Sequence, residues 1–270
     1  MLKKINEAVD FIKSKYNSKP AVGIVLGSGL GSFTGEIDVE SEISYSDIPY
    51  FPTSTVEGHT GKLIFGSLSG KKVVAMAGRF HYYEGYTTQE VVFPIRVLKF
   101  LGIETLLISN AAGGTNTSFQ VGDLMIIKDH ISMFAVNPLV GKNDETFGPR
   151  FPDMSEPYNK YLVEKVKLIA QENKIELKEG VYVGVTGPSF ETRSEYKMIR
   201  LLGGDAVGMS TVQEVIAAVH LGLPVFGMSV ITDVGIREEQ NKITHEEVLQ
   251  AAEEAEPKLT FLFKELIGRL

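Results

Sequence analysis

The sequence contains no cysteine among its 270 residues. Disulfide bonds, cysteine-based zinc sites and thiolate nucleophiles are therefore excluded. Positive charge is also scarce, since 27 lysines and arginines face 34 aspartates and glutamates, for a formal net charge of −7. This balance excludes the broad basic surface that nucleic acids require. One small anion could still be bound by local donors.

Long apolar runs are scarce as well. The first stretch, "MLKKINEAVDFIKSKY", lacks the apolar core of a secretion signal and instead repeats apolar residues at helical spacing. Residues 215–232 carry no Asp, Glu, Lys or Arg, but "HLGLP" breaks this run, which predicts buried core and no membrane span. The absence of cysteine fits a reducing cytoplasm, and this is the compartment that we expect.

Histidines are few, and their spacing does not suggest a metal site. They are His59, His81, His130, His220 and His245. None of them forms an H-x-H or H-E-x-x-H pattern, so we expect no metal.

Strand-like and helix-like segments alternate along the chain. The predicted strands are 22–26, 105–109, 124–128, 181–185, 206–209 and 225–232, with a hairpin of "KLIFGSL" and "KKVVAMAG" around Ser69-Gly70. Four helix starts share a threonine followed three residues later by a glutamate, which is the capping-box pattern. The pairs are Thr87/Glu90, Thr192/Glu195, Thr211/Glu214 and Thr244/Glu247.

A further helix is expected over 157–173. Segments 33–61 and 132–157 read as irregular, and connections of that length usually bind a ligand or reach a partner. The sequence therefore predicts a single α/β domain over residues 1–270, built around a buried mixed sheet.

The first predicted strand ends in a glycine-rich loop, "IVLGSGLGSF". Its bare amides and the Ser28 hydroxyl could bind phosphate. The dinucleotide fingerprint is incomplete, because Ser32 replaces its third glycine and Asp47 lies in a proline-flanked loop and not at a strand end. The loop thus predicts an anion site without NAD, although a plain turn would have the same composition.

The stretch "AGRFHYYEGY" carries polar groups at alternate positions. In an extended chain, Arg79, His81 and Tyr83 would share one side and Phe80 and Tyr82 the other. A cation and an imidazole suit a phosphate, and a phenol suits a sugar or a ring. The alternative is a surface edge with aromatic residues packed behind it.

Other candidates follow the later strands, where open α/β sheets bind their ligands. "SNAAGGTN" is a turn of small residues, and "GPSFETR" offers Phe190 and Glu191 for stacking on and hydrogen bonding to a heterocycle. Glu191 could instead only favour a helix N-terminus. "VGMSTVQE", "SVITDVG" and "ITHEEVL" add Met209, Ser210, Asp233 and His245.

Taken together, these motifs resemble the low-molecular-mass, trimeric purine nucleoside phosphorylases. The resemblance runs from "GIVLGSGLG" through "FPTSTVEGHTG", "GRFHYYEGY", "NAAGG", "RFPDMSE" and "GPSFET" to "GDAVGMSTVQEV" and "THEEVL". It implies a three-layer α/β/α sandwich with a central mixed, partly barrel-like sheet. It also implies a homotrimer that cleaves purine ribosides and deoxyribosides with phosphate as co-substrate and needs no cofactor.

The resemblance assigns the site residue by residue. Phosphate would contact Ser28, His59, Arg79, His81, Ala111 and Ser210. The ribose would contact Tyr83, Met209, His245 and, from a neighbouring subunit, Phe151. The base would contact Phe190, Glu191 and Asp233, and the catalytic roles fall to His81, Glu191 and Asp233.

One position departs from the family pattern. The 6-oxopurine enzymes usually have asparagine where this chain has Asp233, and an ionised aspartate only accepts hydrogen bonds, which suits a 6-amino group. Methylthioadenosine phosphorylases resemble the chain at this position, so 5′-methylthioadenosine phosphorolysis is the alternative activity. Glu191, Ser210 and His245 favour the nucleoside phosphorylases. Readings outside this chemistry are a nucleotide-binding oxidoreductase and a non-catalytic purine or phosphate sensor.

Overall fold

The computed structural model describes residues 1–53, 55, 60–134, 136–235 and 244–270. Within these ranges the strands are β1 (Val22–Val25), β2 (Asp38–Ser44), β3 (Lys62–Leu68), β4 (Lys71–Ala77), β5 (Thr105–Gly114), β6 (Leu124–Ser132), β7 (Lys178–Gly184), β8 (Ala206–Gly208) and β9 (Val225–Val234). They form one sheet in the order β2-β3-β4-β1-β5-β8-β7-β6-β9. Parallel and antiparallel pairs are mixed, as predicted.

One end of the sheet closes on itself. Strand β9 pairs with β6 in the antiparallel direction and with β5 in the parallel direction. Strands β5, β8, β7, β6 and β9 therefore make a five-stranded barrel, while β2, β3, β4 and β1 extend from it as an open sheet. The expected α/β class with a partly barrel-like mixed sheet is confirmed.

The helices are α1 (Leu2–Lys15), α2 (Thr88–Val91), α3 (Phe93–Leu101), α4 (Lys160–Glu172), α5 (Arg193–Leu201), α6 (Val212–His220) and α7 (His245–Gly268). All four predicted capping boxes are present, at the starts of α2, α5, α6 and α7. The helix expected from residue 157 begins at Lys160, because the Asn159 side chain caps it by accepting from Leu162 N at 3.1 Å.

Apolar burial defines the layers. Helices α1, α3 and α6 pack on one face of the sheet, and α4 and α7 pack on the other. Helix α5 lies on a smaller cluster, in which Tyr196 and Ile199 meet Val183 and Val207. The uncharged stretch 215–232 falls in α6 and β9 and is largely buried, as predicted. No helix among the described ranges is long and apolar enough to cross a membrane.

The prediction that residues 33–61 are irregular is wrong in part. Strand β2 pairs antiparallel with β3 at the edge of the sheet, and short 3₁₀ helices flank it. Its sequence, "DVESEIS", is mostly charged or polar, and only Ile43 is buried. Edge strands tolerate such sequences because one side of the strand stays in water, so the apolar signal is weak.

The glycine-rich loop after β1 packs against backbone from two directions. A Cβ on Gly27 would lie 2.7 Å from Asn110 Cα and 3.0 Å from Ser109 O, both in β5. Gly29 has φ +73° and would bring a Cβ within 2.6 Å of Ala252 Cβ in α7. Side chains are therefore excluded at both positions, because the loop is wedged between a strand and a helix.

Helix α7 also holds this loop through a buried carboxylate. Glu256, 4% exposed, accepts a hydrogen bond from Phe33 N at 2.8 Å and another from the Ser32 hydroxyl. These bonds satisfy donors at the start of the 3₁₀ helix that follows the loop. The loop is thus fixed to the C-terminal helix by polar bonds as well as by packing.

Replacing Gly27 with alanine should destabilise the protein by about 1–3 kcal/mol, because the new methyl group overlaps β5 backbone that cannot move aside. Gly31→Ala is the matched control, since a Cβ there meets nothing within 4 Å. Urea unfolding followed by circular dichroism measures both variants. Equal stabilities for the two would contradict the close approach at Gly27.

Candidate active site

A pocket of about 520 Å³ opens where β1, β5, β8 and β9 end or bend. Ligand sites of α/β sheets lie at such strand ends. The sequence-predicted residues that line it are Ser28, Arg79, His81, Tyr83, Ala111, Phe190, Glu191, Met209, Ser210, Asp233 and His245. Residues that are scattered over more than two hundred positions of the chain therefore share one cavity.

Two predicted residues are not in this pocket. His59 lies outside the described residues. Phe151 is 86% exposed and lines a different cavity, together with His130 and Arg150. It does not reach the pocket of its own chain, and its contact with a neighbouring subunit's sugar stays a prediction.

Arg79, only 1% exposed, follows β4 and anchors one end of the pocket. Its Nη1 donates to Ser109 O at 2.8 Å and to Ser210 Oγ at 3.2 Å, and its Nε faces Glu214 Oε1 at 3.2 Å. Glu214 is also buried and accepts from Thr211 N. The sequence revealed Glu214 as a capping residue but gave no signal of its ion pair with Arg79.

A strained turn centred on the next residue, Thr211, orients Ser210. Thr211 has φ +69° and ψ −53°, and Val212 N donates to Ser210 O at 2.7 Å, so Thr211 is the centre of a γ-turn. Such a conformation costs a β-branched residue about 1–3 kcal/mol and persists only where its surroundings enforce it. Asn110 Nδ2 supplies part of that restraint by donating to Thr211 Oγ1 at 2.8 Å.

The predicted extended course of "RFHYYE" is wrong beyond His81. Residues Tyr82–Glu84 form a 3₁₀ helix, which Glu84 caps by accepting from His81 N at 2.8 Å. Arg79, His81 and Tyr83 nonetheless line the pocket, and Phe80 is buried behind them. The expected sorting of polar and apolar side chains therefore holds, although the turn and not strand alternation produces it.

Glu84 is a functional candidate that the sequence analysis missed, although a glutamate three residues after His81 could have signalled it. Its Oε1 lies 2.9 Å from His81 Nδ1, and Thr55 N donates to its Oε2 at 3.0 Å. Burial alone would raise the pKa of this carboxyl, but the hydrogen bonds from His81 and Thr55 outweigh burial and lower the pKa to about 2. Glu84 is thus an ionised anchor for the His81 ring.

Tyr83 stacks on that imidazole, with ring centroids 4.7 Å apart and planes 16° from parallel. Burial, together with the charge of Glu84, raises the pKa of Tyr83 to about 12. The phenol is therefore neutral at physiological pH and can donate a hydrogen bond.

The opposite end of the pocket carries two carboxyl groups, Glu191 and Asp233. Asp233 pairs with Gly113, which lies about 13 Å along β5 from Ser109, the residue that accepts from Arg79. Burial, reinforced by the charge of Asp233, raises the pKa of Glu191. Glu191 Oε1 is buried and has no hydrogen-bond partner within the described part of the chain. A buried acceptor of this kind is poised for a ligand. Tyr196, which no sequence motif pointed to, donates its hydroxyl hydrogen to Asp233 Oδ2 at 2.8 Å.

The two ends of the pocket differ in chemistry. A guanidinium and a serine hydroxyl at one end suit an oxyanion, whereas carboxyl groups and the Phe190 ring at the other suit a heterocycle that carries hydrogen-bond donors. Across the described ranges, no cluster of three or more histidine, aspartate or glutamate side chains could hold a metal ion.

Glu84 should make the fold sensitive to acid. Because its folded pKa of about 2 lies below its ordinary value of 4.5, its stabilising contribution is complete above pH 4.5 and is lost as the pH falls towards 2. The unfolding free energy of Glu84→Gln should therefore fall less steeply over that range than that of the unmodified protein. Glu253→Gln, at an exposed position of α7, is the control, and parallel curves for all three proteins would contradict the assignment.

Comparison with known proteins agrees with this geometry. The family model described as "Phosphorylase superfamily" matches residues 21–268. Purine nucleoside phosphorylase 1 of Geobacillus stearothermophilus is 50% identical over 98% of this chain and 97% of its own length. The enzyme of the same name from Bacillus subtilis is 47% identical over 100% and 99%, respectively.

A solved structure gives the same result in three dimensions. Schistosoma mansoni purine nucleoside phosphorylase in complex with adenosine superposes with a TM-score of 0.95, at 41% identity over 99% of this chain and 97% of that chain. Coverage is nearly complete in both chains, and the identities are well above those at which only the fold is shared. The chain therefore belongs to the phosphorylase superfamily and, within it, to the purine nucleoside phosphorylases.

Proposed function

We propose that this protein catalyses the phosphorolysis of purine nucleosides, in which phosphate displaces the purine and yields the free base and ribose or deoxyribose 1-phosphate. The observation that carries the proposal is the pocket itself, with Arg79 and Ser210 at one end and Glu191 and Asp233 at the other. Among the similar solved structures, Schistosoma mansoni purine nucleoside phosphorylase has been crystallised with inosine, and a schistosoma purine nucleoside phosphorylase with hypoxanthine. These two ligands are a nucleoside and a purine base.

In this proposal the phosphate occupies the Arg79 end. The guanidinium is already oriented by Glu214 and by Ser109 O, so it need not reorganise when the anion binds. Ser28, the backbone at Ala111 and Ser210 add donors, and His81 is held by Glu84. A phosphate held there stabilises the positive charge that develops on the ribose as the glycosidic bond breaks.

The leaving purine needs the opposite help, because it accumulates negative charge. A hydrogen-bond donor at N7 lowers that cost, and Glu191 is a candidate proton carrier because burial raises its pKa. Asp233, when ionised, can accept from an exocyclic amino group. The reaction as proposed uses phosphate as co-substrate and needs no metal or organic cofactor.

The other readings have less support. The relatives reported above are named as purine nucleoside phosphorylases, so they do not favour methylthioadenosine as the substrate. His245 lines the pocket where a free 5′-hydroxyl would be expected, and that hydroxyl is absent from methylthioadenosine. A nicotinamide-dependent oxidoreductase is not favoured, because the glycine-rich loop is not followed by the strand-end acidic residue that binds the adenosine ribose of such a cofactor. A non-catalytic sensor would show no turnover.

The homotrimer and the cytoplasmic location belong to the same proposal. Support for an intersubunit contact comes from Phe151, a phenylalanine that is 86% exposed beside a cavity lined by Leu139, Val140 and Met154. Large exposed apolar groups of this kind commonly mark interaction sites.

Phosphate-dependent release of base from inosine tests the activity directly. Ser210→Ala should raise the KM for phosphate about fivefold, the effect of losing one hydrogen bond, and should change the KM for the nucleoside far less. Ser229→Ala is the matched control, since Ser229 is fully buried in β9 and its hydroxyl has no partner among the described residues. Absence of base release from every purine nucleoside, with phosphate present, would refute the proposed function.

Asp233 should set the base preference. Asp233→Asn replaces an acceptor oxygen with a donor. We therefore expect the initial rates on inosine and on guanosine, each divided by the initial rate on adenosine, to rise about tenfold. Asp129→Asn, at an exposed position of β6, controls for the change in charge. If both the unmodified protein and Asp233→Asn ignore adenosine, the link between Asp233 and 6-aminopurines is wrong.

A further inference from the structure

Tyr196 is a buried residue at the base end of the pocket, the end that carries Phe190, Glu191 and Asp233. The proposed reaction assigns it no role. Its side chain rises from the first turn of α5 and is only 2% exposed. The hydroxyl donates to Asp233 Oδ2 at 2.8 Å and also faces Glu191. It therefore reaches both carboxyl groups, Glu191 directly before the cap of α5 and Asp233 near the end of β9.

The position of this hydroxyl is fixed by close backbone packing. A Cβ on Gly113 would lie 2.7 Å from the Tyr196 hydroxyl and 3.0 Å from Asp233 Oδ2. A Cβ on Gly235 would lie 2.3 Å from two atoms of the tyrosine ring. Only glycine allows this approach on both sides, so the ring has little freedom to turn away from Asp233.

The hydroxyl can serve only as a donor to these carboxyl groups. Burial, together with the charges of Asp233 and Glu191, raises the pKa of Tyr196 well above its ordinary value, so the phenol keeps its proton. A hydrogen bond donated to a carboxylate favours the ionised form over the protonated form. The 2.8 Å bond goes to Asp233, and the same hydroxyl also interacts with the Glu191 carboxyl group, whose Oε1 has no partner within the described part of the chain.

We propose that Tyr196 is a positioning residue for the purine: its hydroxyl holds Asp233 in one orientation as an acceptor, and so favours purines with an amino group at C6 over purines with a keto oxygen at C6. This inference rests on the proposed function. It assigns the base preference to a pair of residues, Asp233 with Tyr196, and not to Asp233 alone.

The test compares kcat/KM for adenosine and inosine at saturating phosphate. Tyr196→Phe keeps the ring and removes the hydroxyl, and should lower the adenosine-to-inosine ratio about tenfold, the effect of losing one hydrogen bond to a charged group. Tyr158→Phe is the matched control, because Tyr158 is equally buried and its hydroxyl meets His130 outside the pocket. It should leave the ratio unchanged.

A second background separates positioning from general damage. In Asp233→Ala, the Tyr196 hydroxyl has lost the carboxylate through which it acts, so adding Tyr196→Phe should not change the ratio further. A merely structural role would lower kcat/KM for both nucleosides by one factor, and that result, or a full effect in Asp233→Ala, would overturn the proposal. Should Tyr196→Phe fail to fold, Tyr196→Met fills the space with a flexible side chain and carries the same expectation.

The two possible failures are distinguishable. An unmodified protein that releases no base from either nucleoside refutes the proposed function. A protein that releases base, and whose ratio is the same in Tyr196→Phe, refutes only the role of Tyr196.

Discussion

The buried ion pair between Arg79 and Glu214 is the interaction on which the rest of the site depends. A guanidinium that is 1% exposed costs several kcal/mol unless a carboxylate and acceptors surround it. Here the partners come from three places: Glu214 in α6, Ser109 O in β5 and Ser210 at the end of β8. The pair can form only when these elements are correctly docked. Docking of these elements therefore also assembles the Arg79 end of the pocket.

The end of the pocket that carries Glu191 and Asp233 shows a related arrangement. The hydroxyl of Tyr196 donates to the Asp233 carboxyl group and holds its orientation. In both places a second residue that need not touch substrate sets the geometry of the first. Preorganisation of this kind matters because a site that must rearrange during the reaction loses part of its electrostatic advantage.

Local patterns in the sequence predicted much of the fold. Each capping box was visible because threonine and glutamate three residues apart satisfy the same turn wherever they occur. The sequence also predicted that Ser28, Phe190 and Asp233 lie in one site, because each follows or ends a predicted strand and α/β sheets bind ligands at the carboxyl ends of their strands. The sequence did not predict strand β2, because this edge strand has only one buried apolar residue, Ile43.

The missed site residues have a different cause. Glu214 pairs with Arg79 across 135 residues and Tyr196 with Asp233 across 37, so their partners are set by the order of strands in the sheet. No local spacing encodes that order. Glu84 is the exception, since it lies three residues from His81, and its role depends on a 3₁₀ turn where alternation predicted a strand.

Helix α7 contacts both the pocket and the segment that follows the glycine-rich loop. It begins at His245, which lines the cavity, and eleven positions later Glu256 grips the start of the 3₁₀ helix that follows the glycine-rich loop. At a rise of about 1.5 Å per residue these points are about 16 Å apart along the helix axis. The spacing between His245 and the anchored loop is thus a property of helix length. Inserting or deleting a residue between them would rotate one grip away from the other by about 100°.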